Sequence, residues 1–154
     1  MNRTYRNISG FTLVELLLAT IILAIVLAGL IQVFIRCSVL TELSNNVTAA
    51  MSEAQGKMEE IRNYNFNSIA TDYVGGGSLN PFDLTELTGK GVIYINSGNA
   101  ELLEVKIVIN WQNKYGRIVG EDLDLDGVLD AGEDINGDNQ LSSIATVVSK
   151  IARR

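Results

Sequence analysis

The chain changes its hydrophobic pattern three times. From Phe11 to Ile35 almost every position is apolar, and the polar interruptions are Thr12, Glu15, Thr20 and Gln32. From Leu40 to Ile61 the apolar residues thin to Leu40, Leu43, Val47, Ala50, Met51, Ala54, Met58 and Ile61, set mostly three or four apart, with Glu42, Asn45, Glu53 and Glu59 among the polar residues between them. Beyond residue 90 the period drops towards two. The first stretch predicts a helix apolar on all sides, which must lie in lipid or among other helices. The second predicts a one-sided helix that docks on a folded domain. Twenty-five helical residues span about 37 Å at 1.5 Å each, enough to cross a hydrocarbon core of about 30 Å. No proline falls between residues 11 and 62. The pattern therefore predicts one continuous helix from about Phe11 to Arg62, ending in Asn63-Tyr64-Asn65. Gly56 weakens it by about 1 kcal/mol relative to alanine. A coiled coil would also want such a stripe, but over a longer heptad run.

Residues 63–90 read as a mixed connecting region, punctuated by Gly75-Gly76-Gly77-Ser78 and Asn80-Pro81. No Lys-Ser/Thr follows the glycines, so they are not a phosphate-binding loop. Strands are predicted at Val92–Ile95, at Leu102–Trp111 after a turn around Ser97-Gly98-Asn99, and at Ser142–Ile151. In the second, Val105, Ile107 and Ile109 oppose Glu104, Lys106 and Val108; in the third, Ala145, Val147 and Ile151 oppose Thr146, Val148 and Lys150. Three such strands make a small antiparallel sheet, one face covering the stripe of the helix and the other partly wet. The fold class is α+β.

A carboxylate five residues into a membrane-length run is expensive, roughly 2.5–3.5 kcal/mol at a bilayer centre. The sequence around it is Gly10-Phe11-Thr12-Leu13-Val14-Glu15, preceded by a leader that carries Arg3 and Arg6 and no acid. This stretch resembles the N-terminus of type IV prepilins and type II secretion pseudopilins, over about the first 36 residues. The resemblance implies a pilin-like fold: a long N-terminal helix packed on a small antiparallel sheet. It implies that a prepilin peptidase cuts between Gly10 and Phe11 and methylates the new amine of Phe11. It also implies that Glu15 pairs with the N-terminal amine of a neighbouring subunit during filament assembly. Gly10 suits the cut, because a residue without a side chain fits an extended protease cleft. A secretory signal peptide would have a shorter apolar region followed by a small-residue cleavage site. A plain anchor explains the length but neither Glu15 nor the Gly-Phe junction. The basic leader predicts a single-pass inner-membrane protein with its leader cytoplasmic and its head periplasmic. Arg36, just past Gln32, marks the outer boundary and can snorkel. The expected division is leader 1–10, membrane and filament-core helix 11–36, stalk helix 37–62 and head 63–154.

Charge is localised. The formal net charge is −6, and residues 121–138 hold eight of the 18 acids and no base. No basic stripe remains to neutralise phosphates, so direct nucleic-acid binding is not expected. The acids are spaced as metal ligands. Asp122, Asp124, Asp126, Asp130 and Glu133 fill positions 1, 3, 5, 9 and 12 of the twelve-residue calcium loop, with Gly127 at the turn and the Val128 carbonyl at position 7. A weaker copy follows at Asp134, Asn136 and Asp138, where Asn139 stands at the glycine position and Ala145 at position 12. Glu133 or another first-loop carboxylate could serve both copies. The expected cofactor is Ca2+, held at about 10⁻⁴–10⁻³ M as in extracellular modules. Its expected role is to staple a small head that has no disulfide.

The single cysteine, Cys37, allows no intrachain disulfide, and there is no histidine. Cys37 is expected as a small apolar residue, an intermolecular disulfide being the alternative. No nucleophile–base constellation exists, so a non-enzymatic subunit is expected. The reading is a minor pilin or pseudopilin that assembles into or primes a filament. Its partners would be other pilin subunits through the N-terminal helix, the prepilin peptidase, an inner-membrane assembly platform, and lipid before assembly. The alternatives are a calcium-dependent pilus-associated adhesin or DNA-uptake component, and an unprocessed calcium-binding membrane protein.

Overall fold

The computed structural model describes residues 10–153. The leader up to residue 9, with Arg3 and Arg6, lies outside the described residues. Contacts divide the chain into two units, one up to Thr41 and one from Glu42 on. Helix α1 spans Leu13–Arg62 and contributes to both, matching the continuous helix expected from the pattern. Its first half holds an 18-residue window long and apolar enough to cross a membrane, none of it buried within the protein.

In the second unit the remaining elements are α2 (Phe66–Asp72), β1 (Phe82–Asp83), β2 (Thr88–Asn99), β3 (Leu102–Gln112), β4 (Ile118–Val119) and β5 (Ala145–Ala152). All pairings are antiparallel, in the order β1-β2-β3-β4, with β5 also on β3. β5 covers Leu102–Ile109 of β3, and β4 continues the same edge at Trp111 and Gln112. The fold is α+β, as expected, but the connecting region is richer than its sequence suggests. Asn65 caps α2 by accepting from the Asn67 N–H (3.0 Å). β1 is fixed by Phe82, whose ring packs so tightly on Gly91 that a methyl there would lie 2.1 Å from it. The buried Asn80 side chain tapes the outer edge of β2, accepting from the Ile93 N–H (2.9 Å) and donating to the Ile93 carbonyl (2.7 Å). The expected turn at Ser97-Gly98-Asn99 is a register shift within β2, and the chain reverses at Ala100 and Glu101 instead.

The side chains sort by register. Ile93, Ile107 and Val147 stand side by side, as do Ile95, Val105 and Ser149. This face packs against the α1 stripe, and Ala50, Ala54, Met58 and Ile61 are buried with Ile93, Val105, Ile107, Ile109 and Trp111 in one cluster. Val47 and Met51 flank it, whereas Leu43 is exposed. Polar contacts also join the helix to the rest of the head, among them Tyr73, whose hydroxyl donates to the Glu60 carboxylate (2.9 Å), and Lys114, which pairs with Glu42. The Glu53 carboxylate accepts from the Thr85 and Glu86 N–H groups (2.9 and 2.8 Å), and Arg62 donates to Ser149 Oγ (2.8 Å).

The opposite face carries Val92, Val108 and Thr146 across its strands, then Tyr94, Lys106 and Val148. It is wet only in part. Val92, Val108 and Asn110 are buried, while Val148 and Lys150 are exposed. The roof over the buried end is the acidic segment itself. Gly120 packs on Asn110, Gly127 packs on Pro81 and Val92, and the Leu141 N–H donates to the Tyr94 hydroxyl (2.7 Å). Leu141 is fully buried and, with Val92 and Val108, lies outside the main cluster. The head therefore has three layers, helix, sheet and acidic loop.

Candidate functional site

Two sites were expected, and they lie in different units. Gly10, Phe11 and Thr12 precede α1 without regular structure and are exposed. Thr12 caps the helix, its Oγ1 accepting from the Glu15 N–H (3.3 Å). Thr12 and Glu15 have the spacing of a Thr-x-x-Glu capping box, of which the structure makes the Thr12 half. That signal was present in the sequence, and it gives Thr12 a role beside the junction residues. Glu15 sits exposed in the first turn, where a negative charge suits the positive end of the helix dipole.

The acidic loop is built from the backbone outward. Leu125 and Gly127 adopt positive φ (61° and 81°). These turns wind the chain so that its amides point inward at side-chain oxygens. Asp122 accepts from the Asp126 N–H (3.2 Å) and the Gly127 N–H (3.0 Å), Asp124 from the Asp126 N–H (3.3 Å), and Asp126 from the Val128 N–H (2.7 Å). Carboxylate oxygens of Asp122, Asp124 and Asp126 consequently lie within 4.8 Å of one another. Two oxygens on opposite sides of a calcium ion stand about 5 Å apart, twice the usual Ca–O distance. The spacing fits a single hard cation. Asp122 is fully buried, and Asp124 and Asp126 face solvent. Burial pushes the Asp122 carboxyl above the ordinary carboxylate range, with the nearby Glu133 charge adding to the shift and the amides of Gly127, Leu125 and Asp126 opposing it. Among the described residues no Lys or Arg forms an ion pair with a first-loop acid.

Glu133 and Asp130 stand apart from this tight triplet. Glu133 is buried beneath the loop and closes it, accepting from the Leu123 N–H (2.6 Å) and the Asp130 N–H (3.0 Å). Asp130 and Val128 are exposed.

The second copy repeats the winding. Gly137 and Asn139 have positive φ (76° and 58°) at positions 4 and 6, where the first loop has Leu125 and Gly127. Asp134 accepts from the Gly137, Asp138 and Asn139 N–H groups (2.7, 3.0 and 3.0 Å), and Asn136 accepts from the Asp138 N–H (2.9 Å). Ala145, at its twelfth position, is buried and paired with Ile109 as the first residue of β5.

Residues 5–31 match a family model described as the prokaryotic N-terminal methylation motif. The chain carries the prepilin-type signature of type IV pilins and pseudopilins. The matched span contains the Gly10-Phe11 junction, Thr12 and Glu15. The long N-terminal helix and small antiparallel sheet are consistent with a pilin-like fold. No curated protein and no solved structure matches the chain.

Proposed function

We propose that the chain is a minor pilin or pseudopilin, a structural rather than catalytic subunit, cut between Gly10 and Phe11 and methylated on Phe11. The observation that carries this reading is the methylation motif over residues 5–31, with a capped helix beginning directly after the junction. Before assembly the apolar half of α1 holds the protein in the inner membrane, leader inside and head outside. After cleavage the same helix packs in the filament core, where Glu15 pairs with the Phe11 amine of a neighbouring subunit. Within low dielectric such a pair fixes register as much as it adds affinity. The partners are other subunits, the prepilin peptidase and an assembly platform.

The head, on this reading, is stapled by one or more calcium ions. Asp122, Asp124, Asp126, the Val128 carbonyl, Asp130 and Glu133 would form the first site. Supporting this are the ligand spacing, the oxygen triplet within 4.8 Å, and the lack of a paired cation among the described residues. Binding would draw Asp130 and Glu133 toward the triplet. Calcium would then neutralise the roof that covers Val92 and Val108.

The test is the intact mass and N-terminal sequence of the membrane-extracted protein, with and without prepilin peptidase. A chain beginning at N-methyl-Phe11 only when the peptidase is present is the expected result. Retention of Met1 in both strains would refute the filament reading.

A further inference from the structure

The two loops wind alike but meet different charges. The acids of the first have no Lys or Arg in an ion pair among the described residues. The second has Lys106, which rises from β3 on the sheet face that the acidic segment roofs. Its ammonium donates to Gln140 Oε1 at 2.9 Å, lies 3.8 Å from Asp138 Oδ2, and sits 5.6 Å from the centre of the Tyr94 ring. Gln140 and Asp138 are positions 7 and 5 of the second loop, so the lysine reaches the side of the loop where a bound ion would draw its ligands.

We propose that Lys106 is the built-in cation of the second loop, so that the head takes a single calcium ion, in the first. The inference deepens the calcium reading above and rests on it for the stoichiometry. Two further observations agree. Ala145 offers no side-chain oxygen at position 12 and is locked into β5 by its pairing with Ile109. Glu133, the candidate for a shared ligand, is held on the first loop by the Leu123 and Asp130 amides that its two oxygens accept from. A tethered ammonium offsets one of the two carboxylate charges of Asp134 and Asp138. It also ties the second loop to the sheet whether or not calcium is present. The protein thereby keeps one half of its acidic roof independent of the ion and leaves the other half to it.

The test uses the full chain in detergent, with calcium chloride as the probe. Titration calorimetry of the wild type should give one ion per chain, and Asp122→Ala should give none. Amide exchange of residues 137–141 in chelator should be about fivefold faster in Lys106→Gln, the scale of a partly exposed ion pair. It should return to the wild-type rate in Lys106→Arg. Two ions in the wild type, or one retained by Asp122→Ala, would overturn the single-ion assignment. Equal exchange in wild type and Lys106→Gln would overturn the role of the lysine. No ion in the wild type would sink the calcium reading and the stoichiometry with it, while the exchange comparison would still decide what Lys106 does.

Discussion

Replacing Asp122 by asparagine should leave the head at least as stable as the wild type without calcium and less stable with it. Asp122 is fully buried beside Asp124, Asp126 and Glu133, and burial already drives its carboxyl towards the neutral form. Asparagine keeps an oxygen acceptor for one of the Asp126 and Gly127 amides and removes a charge that the empty loop cannot compensate. In chelator the Asp122→Asn head should therefore melt at or above the wild type. In calcium the order inverts. On the proposed calcium reading, a dissociation constant near 0.1 mM would let calcium at 10 mM stabilise the wild type by about 2.7 kcal/mol. That corresponds to a rise of about 10 °C in melting temperature for a head of roughly this size. The variant should show almost none of that rise. Asp122→Ala loses both acceptors, so it should melt below the wild type in both buffers. The assay is intrinsic fluorescence of the full chain in detergent. Trp111 is the single tryptophan and is fully buried in the head, so it reports that unit and not the apolar N-terminal part of α1. A wild type that melts identically in calcium and in chelator would refute the argument, as would an Asp122→Asn variant that keeps the calcium increment.

Glu53→Ala should destabilise the head by about 1–2 kcal/mol, because a charged acceptor for the Thr85 and Glu86 amides disappears, and Glu53→Gln should recover part of it. Denaturant melts followed at Trp111 check this. Glu60 should make stability fall in acid. The Lys57 ammonium foremost, with the Tyr73 hydroxyl, holds its carboxyl below the ordinary range against an opposing effect of burial. A lowered folded pKa means that its stabilisation is present in full above the ordinary carboxylate pKa and is lost as pH falls from there through the lowered value. A Glu60→Gln variant with an unchanged acid limb would contradict it. Gly120→Ala should cost about 3 kcal/mol or more, because φ is +117° and the new methyl would lie 1.9 Å from Asn110 Oδ1. It should also weaken calcium binding in a titration, since Gly120 lies two residues before Asp122.

How much of this was legible depends on how far each signal extends along the chain. The stripe on α1 spans six turns, and three- and four-residue spacing over that length survives local exceptions such as Gly56. The strand faces at 102–111 and 145–151 could be read in part, because the partial alternation favours the register that sets Val105, Ile107 and Ile109 on one face, while Val108 and Asn110 are buried on the other. The winding of the acidic loop could be read because its spacing of aspartates and Gly127 is local. The short elements could not. α2 offers seven residues and buries only Ile69, and β1 and β4 have two residues each. These are fixed by contacts distant in sequence, Phe82 on Gly91 and Val119 beside Trp111. The same reason hid Lys106, which reads locally as one polar residue in an alternating strand. Its partner Gln140 lies 34 positions away.

The roof explains why an acidic loop belongs in the middle of a small β head rather than at its edge. The main core lies between α1 and one sheet face, which leaves Val92 and Val108 on the other face in need of cover. A segment of only about twenty residues must provide it, and in this head the segment does so with backbone turns, Gly127 on Val92, and one buried leucine, Leu141. Turns that tight need acceptors for their amides, and Asp122, Asp134 and Glu133 supply them. The carboxylates that organise the roof are therefore the ones that charge it. Lys106 offsets part of that charge at one end. On the proposed reading calcium offsets the rest, so ion binding and closure of the second core become one event. It follows that chelation should loosen the Val92–Val108 face before it disturbs the α1 face. Val108 amides should then exchange faster in chelator while those of Ala54 and Met58 do not change. Uniform acceleration across both faces would instead mean that the roof and the main core unfold as one unit.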